Sequence, residues 1–137
     1  MTTIANETPS AAAGAGVWTG RVLSGLVVAF MAMDITMKLM RLPIVETTGA
    51  QLGLPAGLGF PLGVLLLVCT ALYVLPRTAV LGAILLTGYL GGAVAIHVRA
   101  ESPLFSHVLF GVYLGVALWA GLWLRDARVR ALIPFRA

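Results

Sequence analysis

The chain has 137 residues, of which 60% are hydrophobic and only 10% are charged, and its mean hydropathy is +1.01. A soluble domain is closer to half apolar and a quarter charged, so this composition indicates a polytopic membrane protein with a single domain. The net charge of +4 does not indicate nucleic-acid binding, because the basic residues lie at predicted helix ends and form no groove with stacking aromatic residues. The single cysteine, Cys69, excludes an internal disulfide and a CxxC redox centre, since both need two sulfurs.

The N-terminal part of the chain predicts a tail followed by a membrane helix. Residues 1–16 are small and polar and lack the basic start and apolar core of a secretory signal, so we expect a disordered tail. The first spanning helix is predicted over about residues 17–40, with Trp18 at its first interface. Near its other end, Asp34 and Lys38 stand at positions i and i+4, so they share one face and can neutralise each other.

The next part of the chain predicts a short helix and a second spanning helix. The connection Arg41–Gly57 is longer than a turn. Pro43 suits the first turn of a helix and Gly53 its end, which predicts a short interfacial helix carrying Glu46. The second spanning helix is predicted over about residues 58–75.

A long apolar stretch, RTAVLGAILLTGYLGGAVAIHVR, runs from Arg77 to Arg99 and has no formal charge between the two arginines unless His97 is protonated. It predicts the third spanning helix, over residues 78–98, because its length and composition suit a bilayer crossing. A short turn containing Glu101 leads to the fourth, over residues 103–124. Small residues let helices approach closely in lipid, and those predicted to pack here are Gly88, Gly91, Gly92, Gly111 and Gly115.

Four spanning helices place both chain termini on the same side of the membrane. The basic residues on this side are Arg21, Arg77, Arg125, Arg128, Arg130 and Arg136, whereas those on the other side are Lys38, Arg41 and Arg99. Basic residues concentrate in the cytoplasm, so both termini are predicted to be cytoplasmic. The sequence therefore predicts an all-α membrane four-helix bundle over residues 17–125 and a basic cytoplasmic tail over residues 126–137.

Five segments carry a resemblance to a known family. Three match closely: LPRTAVLGAILLTGYLGGAVAIHVR (Leu75–Arg99), SPLFSHVLFGVYLG (Ser102–Gly115) and GLWLRDARVRALIP (Gly121–Pro134). Two match more loosely: DITMKL (Asp34–Leu39) and QLGLP (Gln51–Pro55). They resemble the DoxX-like family of small four-helix bacterial membrane proteins. The resemblance implies a location in the bacterial inner membrane. Relatives often carry a glutamate in the second helix, where this chain has Leu66. The wider superfamily includes membrane subunits linked to sulfur-compound oxidation with quinone, although a shared fold does not fix the reaction.

Polar residues are predicted to meet at the outer ends of the first, third and fourth helices, away from the basic tail. They are Asp34, Lys38, His97, Arg99, Glu101 and His107. We expect a polar pocket in the outer leaflet that binds a ligand or carries protons, because ionisable groups in a membrane are costly and histidine titrates near neutrality. Purely structural roles are also possible for these residues. Asp34 and Lys38 can form a surface ion pair. His97 can bond a carbonyl or Asp34, and Arg99 can bond phosphate headgroups or Glu101.

An intrinsic metal or haem is not expected. His97 and His107 are available imidazoles, but a short turn joins their helices, and the glycines there favour close contact, whereas haem needs the helices held apart. Zinc ligands with a recognised spacing are missing from the sequence. The cofactor prediction is therefore none intrinsic, with a quinone as the candidate ligand.

Three functions are consistent with this pattern, and the catalytic residues, if any, stay unknown. The first is a redox-linked accessory subunit that binds a quinone or another lipid-soluble molecule and receives electrons from a partner oxidoreductase. The second is a non-catalytic membrane scaffold or assembly factor. The third is a proton-coupled small-molecule transporter, which Lys38 disfavours because it neutralises the acid in the first helix. Membrane lipid is the expected environment, no nucleic acid is expected, and oligomerisation is left open.

Overall fold

The computed structural model describes residues 11–133, and these residues form helices and connecting turns, with no strand among them. The helices are α1 (Ala11–Leu39), α2 (Pro43–Gln51), α3 (Gly59–Val74), α4 (Ala79–Arg99), α5 (Phe110–Arg125) and α6 (Ala127–Leu132). A π-helical segment, Leu104–Val108, leads into α5. The predicted all-α class is confirmed.

Three helical stretches are long and apolar enough to cross a membrane: Gly14–Leu39, Ala79–Arg99 and Leu104–Arg125. α3 is apolar but has only 16 residues. At 1.5 Å per residue it rises about 24 Å, which is less than the roughly 30 Å of a bilayer's hydrocarbon core. Pro76 explains where α3 ends, since the residue before a proline is pushed out of the helical region, and Leu75 is extended with ψ 126°. Of the four predicted spans, three therefore meet the length expected of a membrane helix.

The described parts of both predicted tails contain helix. α1 begins at Ala11, so residues 11–16, predicted to belong to a disordered tail, are helical instead. Alanine has the highest helix propensity, and the AAAGAG run extends α1 toward the N-terminus. The predicted basic tail contains α6, in which Val129 is buried. Residues 1–10 and 134–137 lie outside the described part of the chain.

Four helices surround one apolar core. α1 packs against α3 and α5, and α4 packs against the same two helices. The largest fully buried side chains are Tyr73, Met31, Leu66, Leu86, Leu118, Leu122 and Val129. Leu66 is fully buried in this core.

Glycines bring three pairs of helices close together. A Cβ on Gly20 of α1 would lie 2.7 Å from the carbonyl oxygen of Gly121 in α5, and one on Gly63 of α3 would lie 2.7 Å from the Cβ of Lys38. Gly82 of α4 lies against the backbone of α3 at Tyr73. Close backbone approach at small residues is the usual way in which helices associate in lipid.

The glycines predicted to pack behave differently. Gly111 does approach α4, since a Cβ there would lie 2.8 Å from Val94 Cγ2. Within the described residues, however, no atom of another helix comes within 4 Å of a Cβ placed on Gly88, Gly91, Gly92 or Gly115. The expected close approach at these four glycines is not made within the chain, because their spacing defines a small face but not what lies opposite it.

A hydrogen-bond network joins α1, α3 and α5 at the arginine-rich end of the helices. The Tyr73 hydroxyl donates to the Leu118 carbonyl over 2.8 Å and shares a 2.8 Å hydrogen bond with Ser24 Oγ. Arg125 Nε donates to the same Ser24 oxygen over 3.1 Å, and its guanidinium lies over the Tyr73 ring. Arg128 adds a hydrogen bond to the Pro76 carbonyl. Polar contacts therefore join three helices at this end.

Candidate functional site

A cavity of about 740 Å³ opens at the end of the helices opposite to the Tyr73 network. α1, α2, α3, α4 and the start of α5 all contribute to its walls. The walls are mainly apolar, and the polar side chains among them are Asp34, Lys38, Glu46, Thr48, Tyr89, His97 and His107. A concave, mostly apolar cavity with a few polar groups is the usual form of a small-molecule site.

An ion pair lies on the α1 wall of this cavity. Lys38 Nζ donates to both carboxylate oxygens of Asp34, one turn away on the same helix. The side chains of Lys38 and Asp34 are 17% and 29% exposed, so the pair is partly shielded from its surroundings. The predicted neutralisation of Asp34 by Lys38 is confirmed. Partly shielded charges are normally paired, and this pairing leaves the cavity wall without a net charge from α1.

A pair of histidines forms the polar end of the α4 wall. His97 lies in the last turn of α4 and His107 in the π-helical segment, and their ring centroids are 5.8 Å apart with an interplanar angle of 60°. His97 Nδ1 is 3.0 Å from Ser102 Oγ, and His107 Nδ1 is 2.7 Å from Ser106 Oγ. A serine hydroxyl, instead of the expected carbonyl or Asp34, is thus the partner of His97. The wider π-helical turn, a feature common at functional sites, places His107 beside it.

α2 covers the cavity without burying any of its own residues. It begins at Pro43, which lacks the N–H that a first turn leaves unpaired, and it is followed by Gly53 with φ +76°. The Glu46 carboxylate accepts a 3.2 Å hydrogen bond from the Gly57 amide. The predicted short helix is confirmed, and its position over the cavity makes it a wall that few contacts restrain.

Two of the predicted site residues lie outside the cavity. Arg99 Nη2 donates to the Leu52 carbonyl, so it fastens the loop after α2 to the end of α4. Gly53 leaves the space for this contact, because a Cβ there would lie 3.0 Å from Arg99 Nη2. Glu101 is exposed in the turn after α4, with φ 54°. The cavity therefore brings together Asp34, Lys38, His97 and His107, but neither Arg99 nor Glu101.

Three polar lining residues were not among the predicted site residues: Glu46, Thr48 and Tyr89. Tyr89 is half-buried in the α4 wall. Its position could have been found from spacing, since Tyr89, Ala93 and His97 stand four residues apart and so share one helix face. Glu46 reaches the cavity from α2, and no local sequence pattern predicts that α2 folds back over the site.

Glycines open the cavity on the α4 side. Gly88 and Gly92 line it, whereas Gly91 and Gly115 line a separate apolar groove of about 850 Å³ between α4 and α5. A missing side chain on the cavity face leaves room for a ligand. The glycines predicted to serve helix packing therefore shape two concave surfaces.

The described residues offer only a small set of metal ligands. Within residues 11–133, no group of three or more His, Cys, Asp or Glu side chains is close enough to hold a metal ion. Zinc sites use three or four protein ligands, so these residue types do not supply one for zinc in that part of the chain.

A family model described as the DoxX-like family matches residues 22–121. This range includes every residue that lines the cavity. No curated protein and no solved structure matches the chain.

Proposed function

The chain belongs to the DoxX-like family, and from that premise we propose that it is a multi-pass protein of the bacterial inner membrane with both termini in the cytoplasm. Three long apolar helices support a membrane location, and α3 packs against two of them, which supports a bundle of four spanning helices. The arginine-rich end carries the Tyr73 network and α6. Because basic residues concentrate in the cytoplasm, this end faces inward and the cavity faces the periplasm.

The function that the cavity supports best is binding of a quinone or a similar lipid-soluble ring compound, in a redox-linked accessory subunit of a membrane oxidoreductase. The observation that carries this proposal is the cavity itself, whose volume of about 740 Å³ combines apolar walls with a polar end. Drug-sized ligands occupy sites of roughly 300–1,000 Å³. A quinone matches this form, since its ring and tail are apolar and its carbonyl oxygens accept hydrogen bonds.

The cavity walls also offer hydrogen-bond donors for those carbonyl oxygens. Four lining residues carry donor groups: the imidazoles of His97 and His107, the ammonium of Lys38 and the hydroxyl of Tyr89. Reduction of a quinone to a quinol takes up electrons and protons in equal number. Histidine can pass protons near neutral pH, and in this proposal the electrons come from the cofactor of a partner oxidoreductase.

A matched pair of variants tests the proposal. Gly92 lines the cavity and its neighbour Gly91 lines the groove between α4 and α5, and a Cβ on either meets nothing within 4 Å in the described chain. Gly92→Leu fills the cavity, whereas Gly91→Leu adds the same side chain outside it. We expect saturable binding of decylubiquinone to the full-length protein in nanodiscs, weakened by at least about tenfold in Gly92→Leu and unchanged in Gly91→Leu, measured by equilibrium binding of the radiolabelled quinone.

The same pair separates the competing functions. Absence of saturable quinone binding by the wild-type protein refutes the proposal, as does equal binding by the two variants. If cellular function is lost in Gly91→Leu but kept in Gly92→Leu, the groove accounts for the activity and the scaffold function replaces the quinone one. A transporter of small cations is less favoured than either, because Lys38 neutralises the Asp34 carboxylate.

A further inference from the structure

The histidine pair has a second use that does not depend on a quinone, and we propose that it binds a monovalent copper or silver ion through both imidazoles. The ring centroids of His97 and His107 are 5.8 Å apart. A first-row metal lies about 2.0–2.1 Å from an imidazole nitrogen, so two imidazoles on one ion have their ring centroids roughly 6 Å apart. The observed separation of 5.8 Å is close to this value, so the two rings already lie at the spacing that one shared ion requires.

The hydrogen bonds select which nitrogen is left for the ion. Nδ1 of His97 is bonded to Ser102 Oγ, and Nδ1 of His107 is bonded to Ser106 Oγ. Among residues 11–133, neither Nε2 atom has a hydrogen-bond partner. Metal-binding histidines usually engage their other nitrogen in a hydrogen bond, which fixes the tautomer and the orientation of the ring. The two serines provide this arrangement for both histidines.

The number and type of ligands point to a monovalent ion. Zinc needs three or four protein ligands, and the described residues provide no third His, Cys, Asp or Glu beside this pair. The two carboxylates on the cavity wall are already bonded, Asp34 to Lys38 and Glu46 to the Gly57 amide. Cu(I) and Ag(I) accept two nitrogen ligands in a linear or bent arrangement. Met37 lines the same cavity, and its thioether is a soft ligand that favours Cu(I) over zinc.

The test uses the tag-free, full-length protein in detergent, titrated with Ag(I) and, under reducing conditions, with Cu(I) against the chelator bicinchoninate. We expect one ion per chain. The His97→Ala and His107→Ala variants each weaken binding by more than about 100-fold, because a ligand is lost. Ser102→Ala and Ser106→Ala weaken it by about 10–100-fold, the usual effect of removing a group that orients a ligand.

A measurement on the wild-type protein covers the case in which a histidine variant does not fold. With ¹⁵N-labelled histidine, Ag(I) should shift the Nε2 resonances of His97 and His107 while the Nδ1 atoms keep their hydrogen bonds. Gly92→Leu should retain the ion although it loses the quinone, so failure of one proposal is distinguishable from failure of the other. Wild-type binding no tighter than that of the double variant His97→Ala/His107→Ala overturns the proposal. Zinc binding as tight as Cu(I) binding also overturns it, since that requires ligands beyond the pair.

Discussion

Replacing Gly82 with alanine should destabilise the protein far more than the same change at Gly88, although both residues lie in α4. A Cβ on Gly82 would lie 2.6 Å from the carbonyl carbon of Leu72 and closer still to the backbone of Tyr73, whereas one on Gly88 meets nothing within 4 Å in the described chain. Both changes gain about 1 kcal/mol of helix propensity, and this gain cancels when the two variants are compared. What remains is the cost of overpacking, typically about 1–3 kcal/mol.

The obstacle at Gly82 is backbone, which cannot rotate away as a side chain can, so we expect the upper part of that range. The assay is equilibrium unfolding of the purified full-length proteins in mixed micelles of increasing SDS content, followed by circular dichroism. Gly82→Ala should unfold at a clearly lower SDS fraction than Gly88→Ala, and Gly88→Ala should match or exceed the wild-type protein. Equal midpoints for the two variants would show that α3 and α4 do not approach each other as closely as the structure has them.

Three further predictions concern other parts of the fold. Tyr73→Phe removes the hydroxyl that bonds Ser24 and the Leu118 carbonyl, so it should cost about 1 kcal/mol in the same unfolding assay, whereas Tyr113→Phe, at an exposed ring, should cost nothing. Glu101→Gly should stabilise by about 1 kcal/mol, because φ 54° strains a side chain but not glycine, and a loss of stability would contradict this. Hydrogen bonds from the Arg128 guanidinium hold the pKa of Asp126 below its ordinary value in the folded protein. The ionised carboxylate therefore stabilises the folded state fully at pH values above the ordinary carboxyl pKa of about 3.9. This stabilisation is lost as the pH falls through the lower pKa of the folded state. Hydrogen exchange of the α6 amides, corrected for intrinsic rates, should accelerate over that interval in the wild-type protein and be fast at every pH in Asp126→Ala, since Asp126 also caps α6.

Hydropathy predicts the long helices well because a membrane helix is defined by local composition. Ala79–Arg99 is apolar along its whole length, and its ends follow from the flanking charges and turns. The predicted bounds of α3, about residues 58–75, differ from the observed Gly59–Val74 by one residue at each end. The apolar sequence continues through Leu75, whereas Pro76 ends the helix at Val74. The ordered start of α1 was missed because an alanine-rich run is compatible with a tail or with a helix extension.

The candidate site was predictable where one helix contains both partners. Asp34 and Lys38 follow the i, i+4 rule, which acts within a helix and needs no tertiary information. Contacts between distant segments were not predictable in this way. Arg99 bonds the Leu52 carbonyl across a sequence separation of 47, and Gly20 meets Gly121 only because α1 and α5 pack together. A small residue indicates that a neighbouring helix can approach closely, but the tertiary fold determines which helix does so.

The position of α2 separates two requirements that usually conflict in a membrane protein, which are the selectivity of the cavity and the tight packing of the core. α2 supplies a large share of the cavity wall, yet none of its residues is buried. Substitutions along α2 can therefore alter what the cavity admits while the apolar core between α1, α3, α4 and α5 keeps its packing. Among homologous chains, this short helix is where ligand preference can diverge at little cost in stability, and natural or laboratory selection for new ligands should accumulate its changes there.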